Sequence, residues 1–228
     1  MLESFKNNRY LKENGKCIKL QRTSLSFEKD GICHIYNIYK KSEIQKLFKK
    51  EPEFSEIKLT IPKNAKSCSR DSHRIFEEND ESISLITKNI VVIKQERFDY
   101  TGGLHGDFES SYLNLDRNSG KIIKWSDIFG KDKKVLYHFI VKHMRNLIAL
   151  EHLEKLSDDE LYYMAASTDR MQLTPRGIVI WFGLYEISGY ADGEPSFLIP
   201  LRELKKVMTY NNFIYYFAKL LKLYSICK

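Results

Sequence analysis

Between Asp99 and Asp107 the chain reads Asp-Tyr-Thr-Gly-Gly-Leu-His-Gly-Asp. Three of its 11 glycines fall within five residues here. An apolar run, Ile90-Val91-Val92-Ile93, leads in, and Ser110-Ser-Tyr-Leu-Asn-Leu-Asp116 leads out. Glycine between strand-like runs marks a bulge, a bend or a close approach of another backbone. The stretch therefore predicts a sharp corner between strands. At least one of Gly102, Gly103 and Gly106 should have positive φ or no room for a Cβ.

Patterning on either side extends this frame. Residues 1–14 are polar and basic and read as a loose arm or a short helix. Cys17-Ile-Lys-Leu, Leu25-Ser-Phe and Ile32 to Tyr39 read as strands, with Lys29-Asp-Gly as a turn. Ser42 to Lys50 has the apolar spacing of a short helix, and Phe54 to Ile61 returns to strand character before Pro62. Asn118-Ser-Gly predicts a hairpin turn between Tyr112–Leu115 and Lys121–Trp125. From Asp132, apolar residues repeat every three or four positions to Ile148, a helical face that includes His143. Ser157-Asp-Asp-Glu is a capping box opening a second helix. Leu173 to Tyr185 is a strand pair or one bent strand, Phe197 to Pro200 a further strand, and Leu201 to Met208 a helix. Asn211 to Tyr224 carries an apolar stripe, either packed over the sheet or set against a membrane surface. The fold expected is α+β, a mainly antiparallel sheet with helices packed on one face. Segments 90–93, 112–115, 121–125 and 178–182 are expected in one sheet, with helix 133–149 against it. The polar stretch Asn64 to Asp80 separates an N-terminal α+β region, residues 1–79, from residues 80–228; both can belong to one domain.

Charge narrows the classes of partner. The net charge is +7, which suits an anionic polymer, an acidic protein or peripheral contact with an acidic membrane. No Arg-rich run, zinc motif or RNA-binding aromatic motif is present, so no specific nucleic-acid partner is expected. No apolar run reaches the roughly 20 residues that span a bilayer. The N-terminus, Met1-Leu-Glu-Ser-Phe-Lys, lacks the apolar core of an export signal. Cys17, Cys33, Cys68 and Cys227 show no CxxC spacing, and their even count permits disulfides or buried thiols.

The chemistry a chain like this could perform centres on the corner. His105 and Asp107 are two apart, so in an extended strand both face one side. They are the candidate catalytic residues, with Asp99, Tyr100 and Asp192 as possible neighbours, but no third metal ligand can be assigned. GxSxG, HExxH, P-loop and GxGxxG patterns are absent, and neither metal nor cofactor is expected. The alternative is a structural corner whose histidine bonds to nearby backbone. Cys68, Arg70, Asp71, His73 and Arg74 form a second cluster, which reads as a surface loop tied down by its cysteine.

Several ordered motifs carry a resemblance. They are Tyr100-Thr-Gly-Gly-Leu-His-Gly, Asn114-Leu-Asp, Asn118-Ser-Gly-Lys, Trp125-Ser-Asp-Ile-Phe, Leu173-Thr-Pro-Arg-Gly-Ile-Val-Ile-Trp-Phe, Tyr185-Glu-Ile-Ser-Gly-Tyr-Ala-Asp-Gly and Ile199-Pro-Leu-Arg-Glu-Leu. Together, over roughly residues 80–208, the chain resembles the domain-of-unknown-function family 3298. That domain accompanies lysozyme-sensing anti-sigma factors and some peptidoglycan deacetylases. The resemblance implies an extracytoplasmic, non-catalytic module that binds or senses a lysozyme-like protein or a cell-wall polymer. Tyr100, Gly102, Gly103, His105, Gly106, Asp107, Tyr190 and Asp192 are then the expected binding residues. The competing reading is a metal- or His-dependent hydrolase of cell-wall material. An exported chain should hold at least one disulfide, expected among Cys17, Cys33 and Cys68. Lysozymes of the common type are basic, so a basic chain would need a local acidic patch to meet one, such as Glu154, Asp158, Asp159 and Glu160.

Overall fold

Strands β1 (Phe5–Glu13), β2 (Lys16–Lys29) and β3 (Ile32–Tyr39) form an antiparallel meander, and β4 (Phe76–Ile86), β5 (Ile90–Tyr100) and β6 (Asp107–Asp116) form another. A parallel pairing of β3 with β4 joins them into one six-stranded sheet in sequential order. The computed structural model describes residues 5–13, 16–72, 74–130, 133–147, 156–166 and 170–218. A second, three-stranded antiparallel sheet contains β7 (Met171–Thr174), β8 (Gly177–Trp181) and β9 (Ser196–Pro200). The fold is α+β.

The run Ile90 to Ile93 is continuously apolar because β5 is buried on both faces. Val91 and Ile93 join Leu20, Ile44, Leu47 and Phe54 in one core, on the side of the short helix α1 (Lys41–Gln45). Ile90 and Val92 face the larger core, with α2 (Trp125–Phe129), α3 (Lys133–Leu147), α4 (Asp158–Ala165), α5 (Leu201–Val207), α6 (Tyr210–Phe213) and the second sheet. Residue 80, at the end of the polar stretch that separates the two regions in sequence, lies inside β4. Burying each large aliphatic side chain contributes about 1.5–3 kcal/mol, so these two layers carry most of the fold's stability.

Several details differ from the sequence reading. Residues 5–13 are a strand, not an arm: they pair antiparallel with residues 16–24, along the edge of β2 opposite β3. Cys17 and Leu25 lie on one long strand rather than two. Lys121 to Trp125 is not a strand; it makes one bridge, Leu115 to Ile122, and then enters α2. Strands 90–93 and 178–182 fall in separate sheets. The reason is local. Ile123 N donates to Asn114 O at 2.8 Å and Asp116 N to Lys121 O at 2.9 Å, so this part of the β6 edge is filled. β7 reaches β6 through a side chain instead: the fully buried Asn114 amide donates to Met171 O, and its Oδ1 accepts from Leu173 N at 2.8 Å. That amide imitates a peptide unit and replaces a ladder step.

The capping box appears as expected, with Glu160 N donating to Ser157 Oγ at 3.3 Å and Ser157 N to Glu160 Oε2 at 2.7 Å. A disulfide joins Cys33 on β3 to Cys68 in the long connection to β4. The Cys17 side chain, Cys227 and the stripe beyond Ala218 lie outside the described residues. Where the C-terminal segment is described, Phe217 is buried in the larger core.

Candidate binding surface

The glycine corner is the loop of the β5–β6 hairpin, residues 101–106. Gly102 and Gly103 have φ of +93° and +112°, in the left-handed region that side chains disfavour. Gly106 is required for space: a Cβ there would sit 2.5 Å from Phe98 Cζ and 2.6 Å from Asp99 O. The Tyr100 hydroxyl closes the loop by donating to Gly103 O at 2.9 Å. Leu104 stands at the tip, fully exposed.

A second loop supports this tip from the other sheet. Residues 182–195 leave β8 and return to β9, closed at the neck by a 2.9 Å bond from Phe182 N to Pro195 O. Phe182 and Ile187 anchor it in the core. Arg170 makes a paired bond to Glu186. Glu194 ties the loop across to β6, accepting from Ser110 N at 3.0 Å and Ser110 Oγ at 2.8 Å. Burial pushes the Glu194 carboxyl upward, opposed by those two bonds and by Lys94.

The two loops meet at His105. Its ring stacks on Tyr190 with centroids 3.9 Å apart, and Tyr185 lies 6.1 Å away on another side. Nδ1 faces Gly106 O at 3.4 Å and Nε2 faces the Tyr185 hydroxyl at 3.1 Å. A carbonyl only accepts, so in the neutral ring the arrangement suits a proton on Nδ1 with the Tyr185 O–H donating to Nε2. Tyr185 has φ of +63°, uncommon for a residue with a side chain, and is 58% exposed. The result is an aromatic ledge beside an exposed leucine.

The expected site residues distribute unevenly over it. Tyr100, Gly102, Gly103 and Gly106 build the loop, while His105 and Tyr190 form the ledge. Asp107 opens β6 and is exposed; among the described residues no bond joins it to His105. Asp99 is paired with Arg97 at 2.9 Å. Asp192 accepts from Gly189 N at 3.1 Å and so shapes its own turn. Tyr185 was not singled out from sequence; two tyrosines five apart in a glycine-bearing loop were the available signal. Among the described residues no group of three or more His, Cys, Asp or Glu is arranged to hold a metal. His73 lies outside them. The acidic patch on α4 is already engaged: Asp158 with Arg145, Asp159 with the Tyr137 hydroxyl, Glu160 with Ser157. Glu154 lies outside the described residues.

Residues 126–202 match the family model described as a protein of unknown function, DUF3298. The chain resembles DUF3298. The matched stretch holds Tyr185 and Tyr190 but not the glycine corner. Two crystal structures show the same fold. A DUF3298-family protein from Pseudomonas aeruginosa PAO1 is 14% identical, with a TM-score of 0.50 over 93% of this chain and 97% of that one. A DUF3298 member from Bacteroides fragilis NCTC 9343 is 19% identical, with a TM-score of 0.50 over 95% and 96%. No curated protein matches the chain. Among the described residues no helix is long and apolar enough to cross a membrane.

Proposed function

We propose that the protein is a non-catalytic binding or sensing module of the cell envelope, and that the ledge of His105, Tyr185 and Tyr190 beside Leu104 meets its partner. The observation that carries this is a fully exposed leucine held next to stacked rings on two anchored loops. Exposed apolar and aromatic groups set side by side are what recognition surfaces use, because covering them removes apolar area from water. Aromatic faces also suit sugar rings, so the partner is an envelope protein, lysozyme-like in the sense of the family resemblance, or a cell-wall polymer. The binding reading is favoured over hydrolysis because the His105 ring nitrogens face the Tyr185 hydroxyl and the Gly106 carbonyl, and among the described residues no carboxylate pairs with the ring. The Cys33–Cys68 disulfide supports an extracytoplasmic site of action.

The test is titration of the full chain with lysozyme, soluble peptidoglycan fragments and a glycerol-phosphate polymer. One of them should bind. Leu104→Asp and Tyr190→Ala should each weaken that binding about tenfold, about 1.4 kcal/mol, with unchanged circular dichroism. Variants that bind like the parent remove the ledge from the function. Turnover of the fragments, lost in a folded His105→Ala, would overturn the non-catalytic reading.

A further inference from the structure

Residues 54–61 read Phe-Ser-Glu-Ile-Lys-Leu-Thr-Ile, the alternation of a half-buried strand. They lie outside both sheets. Exposure still alternates: Ile57 and Leu59 are half-buried, whereas Glu56, Lys58 and Thr60 face solvent. The chain is fixed just before the segment, where Glu53 N donates to Gly120 O at 2.7 Å, and within it, where Lys41 N donates to Glu56 Oε2 at 3.1 Å. Among the described residues, no backbone N–H or C=O from 54 to 61 has a hydrogen-bond partner. This is a strand by composition that lacks a neighbour.

It also forms one wall of a groove of about 620 Å³, whose other wall is Thr23, Ile38 and Lys40. Ile38 and Phe54 are buried beneath it. Lys41 is committed to Glu51 at 2.6 Å. Lys40 and Lys58 are exposed and make no ion pair among the described residues. The wider charge has the same sign. Residues 1–75 hold 17 Lys and Arg against nine Asp and Glu, net +8, while residues 76–228 hold 20 against 21.

We propose that this groove receives an extended segment of a partner protein, alternating apolar and acidic residues, which adds as a strand beside residues 54–61. Each requirement answers one observation. Backbone groups of the incoming strand pair with the open N–H and C=O row. Its apolar side chains cover the half-buried Ile57 and Leu59. Its carboxylates meet Lys40 and Lys58, which also steers the encounter. This site uses none of the corner residues and does not rest on the reading given to them.

The experiment is fluorescence anisotropy of the full chain with a labelled peptide of about eight residues alternating glutamate and valine, near the length of a common strand. Saturable binding is expected. The same peptide N-methylated along one edge cannot donate to the ladder and should bind about tenfold more weakly, as should Lys40→Glu combined with Lys58→Glu. The methylated arm leaves the protein untouched, so its outcome is independent of any folding defect. A lysine–valine peptide should not bind. Equal binding of the methylated or the lysine peptide overturns the strand or the charge argument respectively, and no binding of the acidic peptide overturns both. Sedimentation velocity without peptide should show a monomer. A dimer broken by Lys58→Glu would assign the groove to a second copy and overturn the proposal.

Discussion

Among the described residues, Asn114 is the side chain that bonds β6 to β7, and replacing it with alanine removes that link. The amide is fully buried and serves two backbone groups, the Met171 carbonyl and the Leu173 N–H. Alanine leaves both in a dry layer between Tyr112, Met171 and Leu173. Each unsatisfied buried group costs about 1–3 kcal/mol, so the variant should lose about 2–6 kcal/mol. With a urea dependence of about 2–3 kcal/mol per molar, the unfolding midpoint falls by roughly 0.7–3 M. Asn114→Asp is sharper. Its carboxylate can accept from Leu173 N–H but cannot donate to the Met171 carbonyl, and only the protonated form does both. Its folded pKa is therefore raised, and the variant should recover part of its loss as pH falls toward about 4. Urea melts across pH, with hydrogen exchange at the Leu173 amide, provide the assay. A loss below about 1 kcal/mol, or undiminished Leu173 protection in Asn114→Ala, would refute the claim that this amide joins the sheets.

Two further outcomes follow from the same coordinates. Burial pushes His143 below the ordinary imidazole value, helped by Lys142, so the unfolded chain takes the proton first and stability declines as pH drops through about 6.5. His143→Phe, set between Phe139 and Phe197, should flatten that decline; equal slopes in melts at pH 7.5 and 5.5 would count against it. Gly106→Ala should cost about 1–3 kcal/mol through overlap with Phe98 and Asp99, more than the roughly 1 kcal/mol of Gly102→Ala, where only φ is unfavourable. A Gly106→Ala denaturation midpoint at the parent value would remove that overlap from the account.

What could be read from sequence was what a short window specifies. Asp30-Gly31, the glycine corner, the doubly buried run 90–93 and the Ser157–Glu160 box each declare a conformation within a few residues. The misreadings concern segments whose pairing their own apolar pattern does not declare. β1 looks polar and basic, and is a strand because it pairs along its whole length with the next strand, β2. Lys121 to Trp125 has strand-like alternation, but only Ile122 finds a bridge partner. Two sheets rather than one go with the filling of the β6 edge by residues 121–123 and with the buried Asn114 amide, neither of which periodicity encodes. At the candidate surface the corner was visible, whereas Tyr185 arrives from 80 residues away and owes its place to the Arg170–Glu186 and Ser110–Glu194 anchors.

The parallel pairing of β3 with β4 also bears on how the molecule assembles. Each meander is built from short hairpins and forms from near neighbours. The pair Cys33–Phe76 that joins them must close a loop of about 43 residues, the slow kind of contact. The disulfide from Cys33 to Cys68 spans most of that distance. With it in place, about eight residues remain to be closed, which lowers the closure cost by about 1.5 kcal/mol, or roughly tenfold in rate if closure limits assembly. The covalent link thus sets the order of events: an oxidised chain begins refolding with its two meanders already tethered at the seam where they must dock.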